Sequence, residues 1–426
     1  MNEPTHRSRS LDSFAPFLAL AGLAASLVPD YLRVRTWEVP ATDFKTLFAS
    51  VRLFTEHQNP YAATLIHQVF STGGVIQPAN WFGHAAVYPP FTLALLTPLA
   101  ACNMATAAWI WFIVSAALMA LALAAMLRWS RDELQLPLWM RMIVLAACVG
   151  CQLLGFGLEI GNVSTATAAL CIFTFCSRKS VALRSIALAI AFLLKPHMAI
   201  WLCLAMLFST KVARSIAIWS AAIAATFISL TSAILVLQHR AVPMWASFWN
   251  AVLAESIPGG SNSPLSREVL PLGAQFSSVW AIAGYWPRSS WLLSLMILVL
   301  VACAVAIAWS VRQSRNHLQA PSLTNAAIQG LLACDWMALG MIAIYHRQHD
   351  AQMLLLFLPV AAFFLFQTEA WPWTSATLVL LLGTWIDLPA LGSLHLRQAS
   401  IISLLFALFC HFLTIFVIQK SKKKPV

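Results

Sequence analysis

Residues 103–127 read NMATAAWIWFIVSAALMALALAAML, a stretch without a single charged side chain. An α-helix needs about 20 consecutive apolar residues to cross a bilayer, so this stretch predicts a membrane-spanning helix. The whole chain has the same character, because 60% of its 426 residues are hydrophobic and only 10% are charged. Soluble domains are about 45–50% apolar and about 25% charged. This composition excludes a soluble enzyme or a nucleic-acid-binding module.

Further apolar runs on both sides of this stretch predict an all-α polytopic membrane protein with about twelve transmembrane helices (range 10–13) in one domain, residues 1–426. A shorter, proline-containing segment at 88–101 predicts a re-entrant or interfacial helix. The other runs lie at 14–32, 139–155, 163–177, 183–194, 197–210, 214–238, 290–311, 322–344, 351–367, 371–386 and 398–418.

The net charge of +11 is distributed as an orientation signal. With the N-terminus in the cytoplasm, most Lys and Arg residues fall on the cytoplasmic side, including those of the basic tail 419–426. Most carboxylates and histidines fall on the opposite side. We therefore expect both termini in the cytoplasm and the chemistry in two long extracytoplasmic loops, 33–102 and 239–289. Membrane lipids are expected partners, and nucleic acid is not.

The first of these loops begins with an acid and an amphipathic segment. Phe44, Leu47, Phe48 and neighbouring apolar residues form one face, with Lys45 and Arg52 opposite, which predicts a helix lying on the membrane surface. Asp43 stands at its start. It is either an N-cap-type residue or a general base at the lipid–water boundary.

Six short motifs, in this order, give the chain a resemblance to glycosyltransferase family 87 of the GT-C superfamily, which includes polyprenyl-phosphate-mannose-dependent α-mannosyltransferases. The resemblance extends over residues 40–360, and Asn162 stands where the family usually has glutamine. The motifs are Asp43-Phe44, Asn59-Pro60-Tyr61, Tyr88-Pro89-Pro90, Gly161-Asn162-Val163-Ser164, Lys195-Pro196 and Tyr345-His346-Arg347-Gln348-His349-Asp350.

The resemblance implies a GT-C fold and an enzyme that transfers a hexose from a polyprenyl-phosphate sugar to a hydroxyl of a lipid or glycan acceptor. The sugar to which the family points is mannose. Transfer inverts the anomeric centre, and the family's aspartate, here Asp43, takes the acceptor proton. The phosphate that leaves needs cations at helix ends on the same face, which Lys195, Arg347, His346 and His349 supply. The expected substrate-binding residues are Tyr61, Tyr88, Glu159, Asn162 and Asn262. No DxD occurs in the first loop, so we expect no metal and no cofactor.

Other interpretations of these residues remain open. Lys195 could snorkel from a helix end, and Glu159 could be a solvated loop residue. Residues 345–350 could be a polar turn in which Asp350 pairs with Arg347 at the start of a helix. The rival functions are a transporter or flippase of lipid-linked sugars, with Asp335 as its intramembrane charge, and a non-catalytic partner in envelope biogenesis.

Overall fold

A computed structural model describes residues 42–72, 87–149, 152–256, 322–343 and 348–367, together with single helical residues at 298, 302 and 305. Within these residues the regular structure is entirely helical, which confirms the predicted all-α class. The predicted helices at 14–32, 371–386 and 398–418, most of that at 290–311, and the basic tail lie outside the described residues.

Within residues 87–149 and 152–256 the helices follow one another with short connections. Two 3-10 helices, Thr97–Ala101 and Gln348–Leu356, precede α4 and α13 respectively. In chain order the α-helices are α1 (Thr42–Thr55), α2 (Ala63–Thr72), α3 (Pro90–Leu96), α4 (Met104–Asp132), α5 (Leu138–Val149), α6 (Gln152–Glu159), α7 (Val163–Cys176), α8 (Val181–Leu194), α9 (Pro196–Leu207), α10 (Lys211–Leu237), α11 (Ala241–Ser256), α12 (Ser322–Ala343) and α13 (Phe357–Gln367).

Among the described helices, α4 with 29 residues and α10 with 27 are long and apolar enough to cross a bilayer. They differ in their surroundings. Two thirds of the most apolar part of α4 is buried, mainly by α7, whereas less than a fifth of that of α10 is buried. Exposed apolar side chains such as Trp219 and Leu230 cover α10. We conclude that α4 is a central helix and that α10 presents an apolar surface at the edge of the bundle.

Two predicted spans are each divided into two elements. The run 139–155 forms α5 and α6, with residues 150–151 between them not described. The run 351–367 forms the 3-10 helix Gln348–Leu356 and then α13. Pro359 explains the second division, because proline has no N–H to continue an existing helix but is accommodated in the first turn of a new one.

Helices α8 and α9 fold back on each other, with Lys195 at the tip between them. The hydroxyl of Ser185 on α8 donates to the carbonyl of Ile216 (3.4 Å), and the thiol of Cys203 on α9 donates to that of Ala217 (3.8 Å). Both helices therefore lie beside the same turn of α10. Pro196 disfavours helical dihedrals at the residue before it, and Lys195 has φ −150° and ψ 82°.

This hairpin places its tip well below the end of α10. From the shared turn, α10 continues for about twenty residues, or roughly 30 Å at 1.5 Å per residue, whereas α8 ends about ten residues on, or roughly 15 Å away. The tip therefore lies on the order of 15 Å short of the end of α10.

The first loop packs on the bundle more closely than the sequence predicted. The apolar face of α1 contacts α3, α4 and the 3-10 helix Thr97–Ala101, and Phe44, Leu47 and Phe48 are fully buried there. The ring of Phe44 stacks on Trp111 of α4, with centroids 6.1 Å apart. The apolar face of this helix is therefore covered by protein, and Lys45, which the pattern placed on the opposite face, is buried as well. The same apolar pattern suits lipid and protein equally.

Candidate active site

The tight turn between α6 and α7 brings the first loop to the bundle. Gly161 has φ 67°, a left-handed conformation that favours glycine. The carbonyl of Ile160 accepts hydrogen bonds from the backbone N–H groups of Asp43 (3.1 Å) and Phe44 (3.2 Å). The indole N–H of Trp111 donates to the carbonyl of Gly161 (2.9 Å). These bonds fix the first turn of α1 beside the first turn of α7.

Asn162 connects these two helix starts through its side chain. It is the N-cap of α7, and its Oδ1 accepts the backbone N–H of Ser164 at 2.9 Å. Its Nδ2 donates to Oδ2 of Asp43 at 2.7 Å. Asn162 is buried and Asp43 is half-buried. Both ends of the amide are thus in use, and the carboxylate of Asp43 keeps partial access to solvent.

A buried ion pair lies next to this amide. Nζ of Lys195 is 2.6 Å from Oδ1 of Asp350, and the side chains are only 10% and 3% exposed. Ser164 joins the pair, since its hydroxyl accepts from Nζ of Lys195 at 2.6 Å and contacts Oδ1 of Asp350. Nε2 of His197 lies 4.0 Å from Oδ2 of Asp350. A buried ammonium needs such compensation, because desolvation of an unpaired ion is expensive.

The two carboxylates of this site have different environments. Asp350 is buried and engaged by Lys195 and Ser164. Asp43 is half-buried, and its described hydrogen bond, from Asn162, occupies one oxygen. A general base must reach the proton it abstracts, so the geometry favours Asp43 over Asp350 for that role.

Tyr61 and Tyr88 form a separate contact in the first loop. The hydroxyl of Tyr61 donates to the carbonyl of Tyr88 at 2.8 Å, and the backbone N–H of Tyr61 donates to Oδ1 of Asn59 at 3.1 Å. Burial raises the pKa of the Tyr61 hydroxyl well above its usual value. Tyr61 therefore connects the segment 42–72 of the first loop to the segment that begins at residue 87. It makes none of the described contacts of Asp43.

Helix α11 of the second long loop packs on this same region. Nη1 of Arg240 lies 2.6 Å from Nδ1 of His57, and Nδ2 of Asn59 donates to the hydroxyl of Ser247 at 3.2 Å. The rings of Tyr61 and Phe248 lie 5.7 Å apart. The Asn59-Pro60-Tyr61 motif thus joins the two long loops into one surface.

The remaining predicted site residues are only partly described. Glu159 is the last residue of α6 and is half-buried, two residues before the turn at Gly161. His346, Arg347 and Asn262 lie outside the described residues. His349 belongs to the 3-10 helix that contains Asp350, but its side chain is not described.

The sequence analysis missed the parts played by Ser164, Asp350 and His197. Asp350 does lie in the first turn of a helix, as expected, and its described ion pair is with Lys195, while the expected pair with Arg347 falls outside the described residues. The sequence carried a signal for each residue, since each stands within or beside a quoted motif. In the described part of the chain, no group of three or more His, Cys, Asp or Glu residues is placed to hold a metal ion.

Fold and site together define a helical membrane protein whose polar, ion-paired site lies where the starts of α1 and α7 meet the tip of the α8–α9 hairpin. Residues 86–334 match glycosyltransferase family 87, which is more than half of the chain, so the chain belongs to this family and is a membrane glycosyltransferase. The match confirms the resemblance found in the motifs. It includes Asn162, Ser164 and Lys195, whereas Asp43 and Asp350 lie beyond its ends. No curated protein and no solved structure matches the chain significantly.

Proposed function

We propose that this glycosyltransferase moves a hexose from a polyprenyl-phosphate sugar to a hydroxyl of a lipid or glycan acceptor. The proposed hexose is mannose. The reaction inverts the anomeric centre and takes place at the extracytoplasmic face of a GT-C fold with about twelve transmembrane helices and cytoplasmic termini. The observation that carries the proposal is the half-buried carboxylate of Asp43, which Asn162 holds beside the buried pair of Lys195 and Asp350.

Asp43 acts as the general base in this proposal. Its carboxylate takes the proton of the acceptor hydroxyl while that oxygen bonds to the anomeric carbon. The bond from the anomeric carbon to the phosphate oxygen breaks at the same time, and polyprenyl phosphate leaves with the electron pair. Such a base needs a fixed orientation, which the hydrogen bond from Asn162 provides.

The leaving phosphate needs positive charge close to its oxygens. Arg347, His346 and His349 come directly before Asp350 in the chain, and we assign them the direct contacts. Lys195 is buried and paired with Asp350, so it contributes its positive charge from a buried position. His197 is a further donor, since its side chain is 34% exposed next to Asp350.

The other predicted residues complete the proposed substrate site. In this proposal Glu159 contacts the sugar beside the turn at Gly161, Asn162 contributes through its hydrogen bond to Asp43, and Asn262 of the second long loop faces the acceptor. Tyr61 and Tyr88 shape the wall through the bond between them. The proposed chemistry requires no metal and no cofactor.

Transfer of radiolabelled mannose from synthetic polyprenyl-phosphate-mannose to membrane lipid extract, with chelator present, tests the proposal. We expect product from the purified wild type and none from Asp43→Asn. Glu56→Gln is the matched control, because Glu56 is an exposed carboxylate in the same loop, paired with Arg52, and its loss should leave transfer unchanged.

Each other outcome has a distinct meaning. Product from Asp43→Asn at the wild-type rate would remove Asp43 from the mechanism. Transfer that fails with mannose but succeeds with another hexose would correct the donor sugar. No transfer with any donor, together with movement of the lipid-linked sugar across liposomes, would favour a transporter.

A further inference from the structure

The geometry points to Ser164 and Asp350 as positioning residues, which hold the amide of Asn162 against Asp43 without touching a substrate themselves. The inference rests on the proposed function to the extent that Asp43 serves as the base of the transfer. It deepens that function by explaining how a side chain on the first loop is aligned from the interior of the bundle.

Ser164 sets the direction of the Asn162 amide. Oδ1 of Asn162 accepts the backbone N–H of Ser164 at 2.9 Å, and the Ser164 hydroxyl oxygen lies 2.5 Å from the same Oδ1. The amide group is planar, so these two contacts on its oxygen together restrain its plane and therefore the position of its nitrogen, whereas one contact alone leaves the amide free to rotate. That nitrogen lies 2.7 Å from Oδ2 of Asp43. The orientation of the proposed base therefore depends on where Ser164 holds the carbonyl oxygen of Asn162.

The ion pair holds Ser164 in turn. The Ser164 hydroxyl oxygen accepts a hydrogen bond from Nζ of Lys195 at 2.6 Å, and the hydroxyl donates to Oδ1 of Asp350 or to Oδ1 of Asn162. Ser164 is fully buried, so no water competes for these contacts. A hydroxyl with three polar neighbours in fixed places has little freedom to rotate.

Asp350 acts through its neighbours. Its side chain is 3% exposed, and Oδ1 is already engaged by Lys195 and Ser164, so a sugar or phosphate cannot reach it directly. Its negative charge keeps the ammonium of Lys195 in a buried position. The chain of contacts thus runs from Asp350 and Lys195 through Ser164 and Asn162 to Asp43.

Ser164→Ala separates positioning from folding. The backbone N–H of residue 164 still caps α7 on Asn162, and the bridge between Lys195 and Asp350 still neutralises both ions. The variant removes the short connection between the helix cap and the ion pair and leaves a longer direct one, in which Nζ of Lys195 donates to Oδ1 of Asn162 at 3.4 Å.

The kinetic test compares wild type, Ser164→Ala, Asn162→Ala and the double variant over a range of polyprenyl-phosphate-mannose concentrations. We expect Ser164→Ala to lower kcat by roughly 10- to 100-fold. Its donor KM should stay within about twofold, because the lost contact touches no substrate. The double variant should be no slower than Asn162→Ala, since both changes act on the same hydrogen bond. Losses that multiply, or a raised KM with unchanged kcat, would overturn the inference.

Asp350→Asn tests the first link of the chain of contacts. It should lower kcat in the wild-type background and have a much smaller effect on kcat in the Ser164→Ala background, where the 3.4 Å contact between Lys195 and Asn162 remains. Ser220→Ala is the matched control, because it removes another buried helical hydroxyl, one that donates to the carbonyl of Ile216 at 2.6 Å. It should keep the wild-type kcat. If Asp350→Asn lowers kcat as much without the Ser164 hydroxyl as with it, Asp350 does not act through that hydroxyl and the inference is refuted.

A cryo-EM structure of Ser164→Ala decides the inference independently of turnover. We expect the Asn162 amide nitrogen to move beyond about 3.2 Å from the Asp43 carboxylate, the limit of a hydrogen bond. An amide that stays in place overturns the inference whatever the activity. A wild type that transfers no sugar, combined with a displaced amide in the variant, removes the proposed function and supports the positioning contacts.

Discussion

Replacement of Lys195 by methionine leaves the carboxylate of Asp350 without its cation in a buried place. The two charged atoms are 2.6 Å apart, which corresponds to a gross attraction of about 6 kcal/mol at an effective dielectric constant of about 20. Most of that attraction offsets desolvation, and breaking one side of a buried pair typically costs about 3–5 kcal/mol. The Ser164 hydroxyl remains as a donor and His197 lies nearby, so we expect the lower end, about 3 kcal/mol.

The double variant Lys195→Met, Asp350→Leu should recover this loss, because an apolar pair of similar volume is often as stable as a buried ion pair. The free energy of unfolding in mixed detergent micelles measures both variants. Lys179→Met is the matched control, since Lys179 is exposed and its loss should change stability by no more than about 0.5 kcal/mol. Two results would refute the conclusion that Lys195 and Asp350 neutralise each other. One is a Lys195→Met variant as stable as wild type, and the other is a double variant whose loss of stability equals the sum of the two single losses.

Two further predictions concern the surroundings of the site. Gly157→Ala should destabilise the protein by about 1–3 kcal/mol, because the new Cβ would lie 2.1 Å from Nε2 of the buried Gln352 and 2.7 Å from the Thr165 hydroxyl. Gly155→Ala, on the same helix but half-buried, is the control, and equal unfolding free energies of the two variants would contradict the prediction. Burial lowers the pKa of Lys45 from 10.5 to about 8, so between these values the unfolded chain binds more protons and stability rises with pH. Relative to Lys45→Met, the wild type should gain about 1–2 kcal/mol from pH 7.5 to pH 10, allowing for solvent screening, and a constant difference in unfolding free energy would refute this.

Helix positions follow from the sequence where an apolar run meets a capping residue. The prediction of a helix at 163–177 agrees with α7, because Asn162 caps its start. The run 214–238 agrees with α10, which begins three residues earlier because the Thr210 side chain caps it. A run interrupted by a proline that starts a new helix is harder to divide, as at Pro359. Hydropathy counts apolar residues and does not register where a helix must restart.

The contacts of the site depend on tertiary packing and could not be read from spacing. Lys195 and Asp350 are far apart in the chain, and the sequence placed both at the same face without indicating that they pair. The departure from the family pattern at Asn162 also has a structural basis. Asparagine is a strong N-cap residue, and its short side chain serves both the cap of α7 and the bond to Asp43. A single sequence shows that the residue differs but not that it performs two tasks.

The depth of the hairpin explains why this site contains an ion pair at all. The tip at Lys195 lies on the order of 15 Å below the end of α10, whereas an extended lysine side chain spans roughly 6 Å. The side chain is only 10% exposed, so Lys195 does not snorkel from the helix end to water. A cation at this depth must be neutralised by the protein, and Asp350 does so at 2.6 Å. The carboxylate of Asp350 also contacts Ser164, which holds Asn162. The group that neutralises Lys195 therefore also helps to align the Asn162 amide next to Asp43. The short helices α8 and α9 thus set both the depth of the site and the need for the carboxylate that orders it.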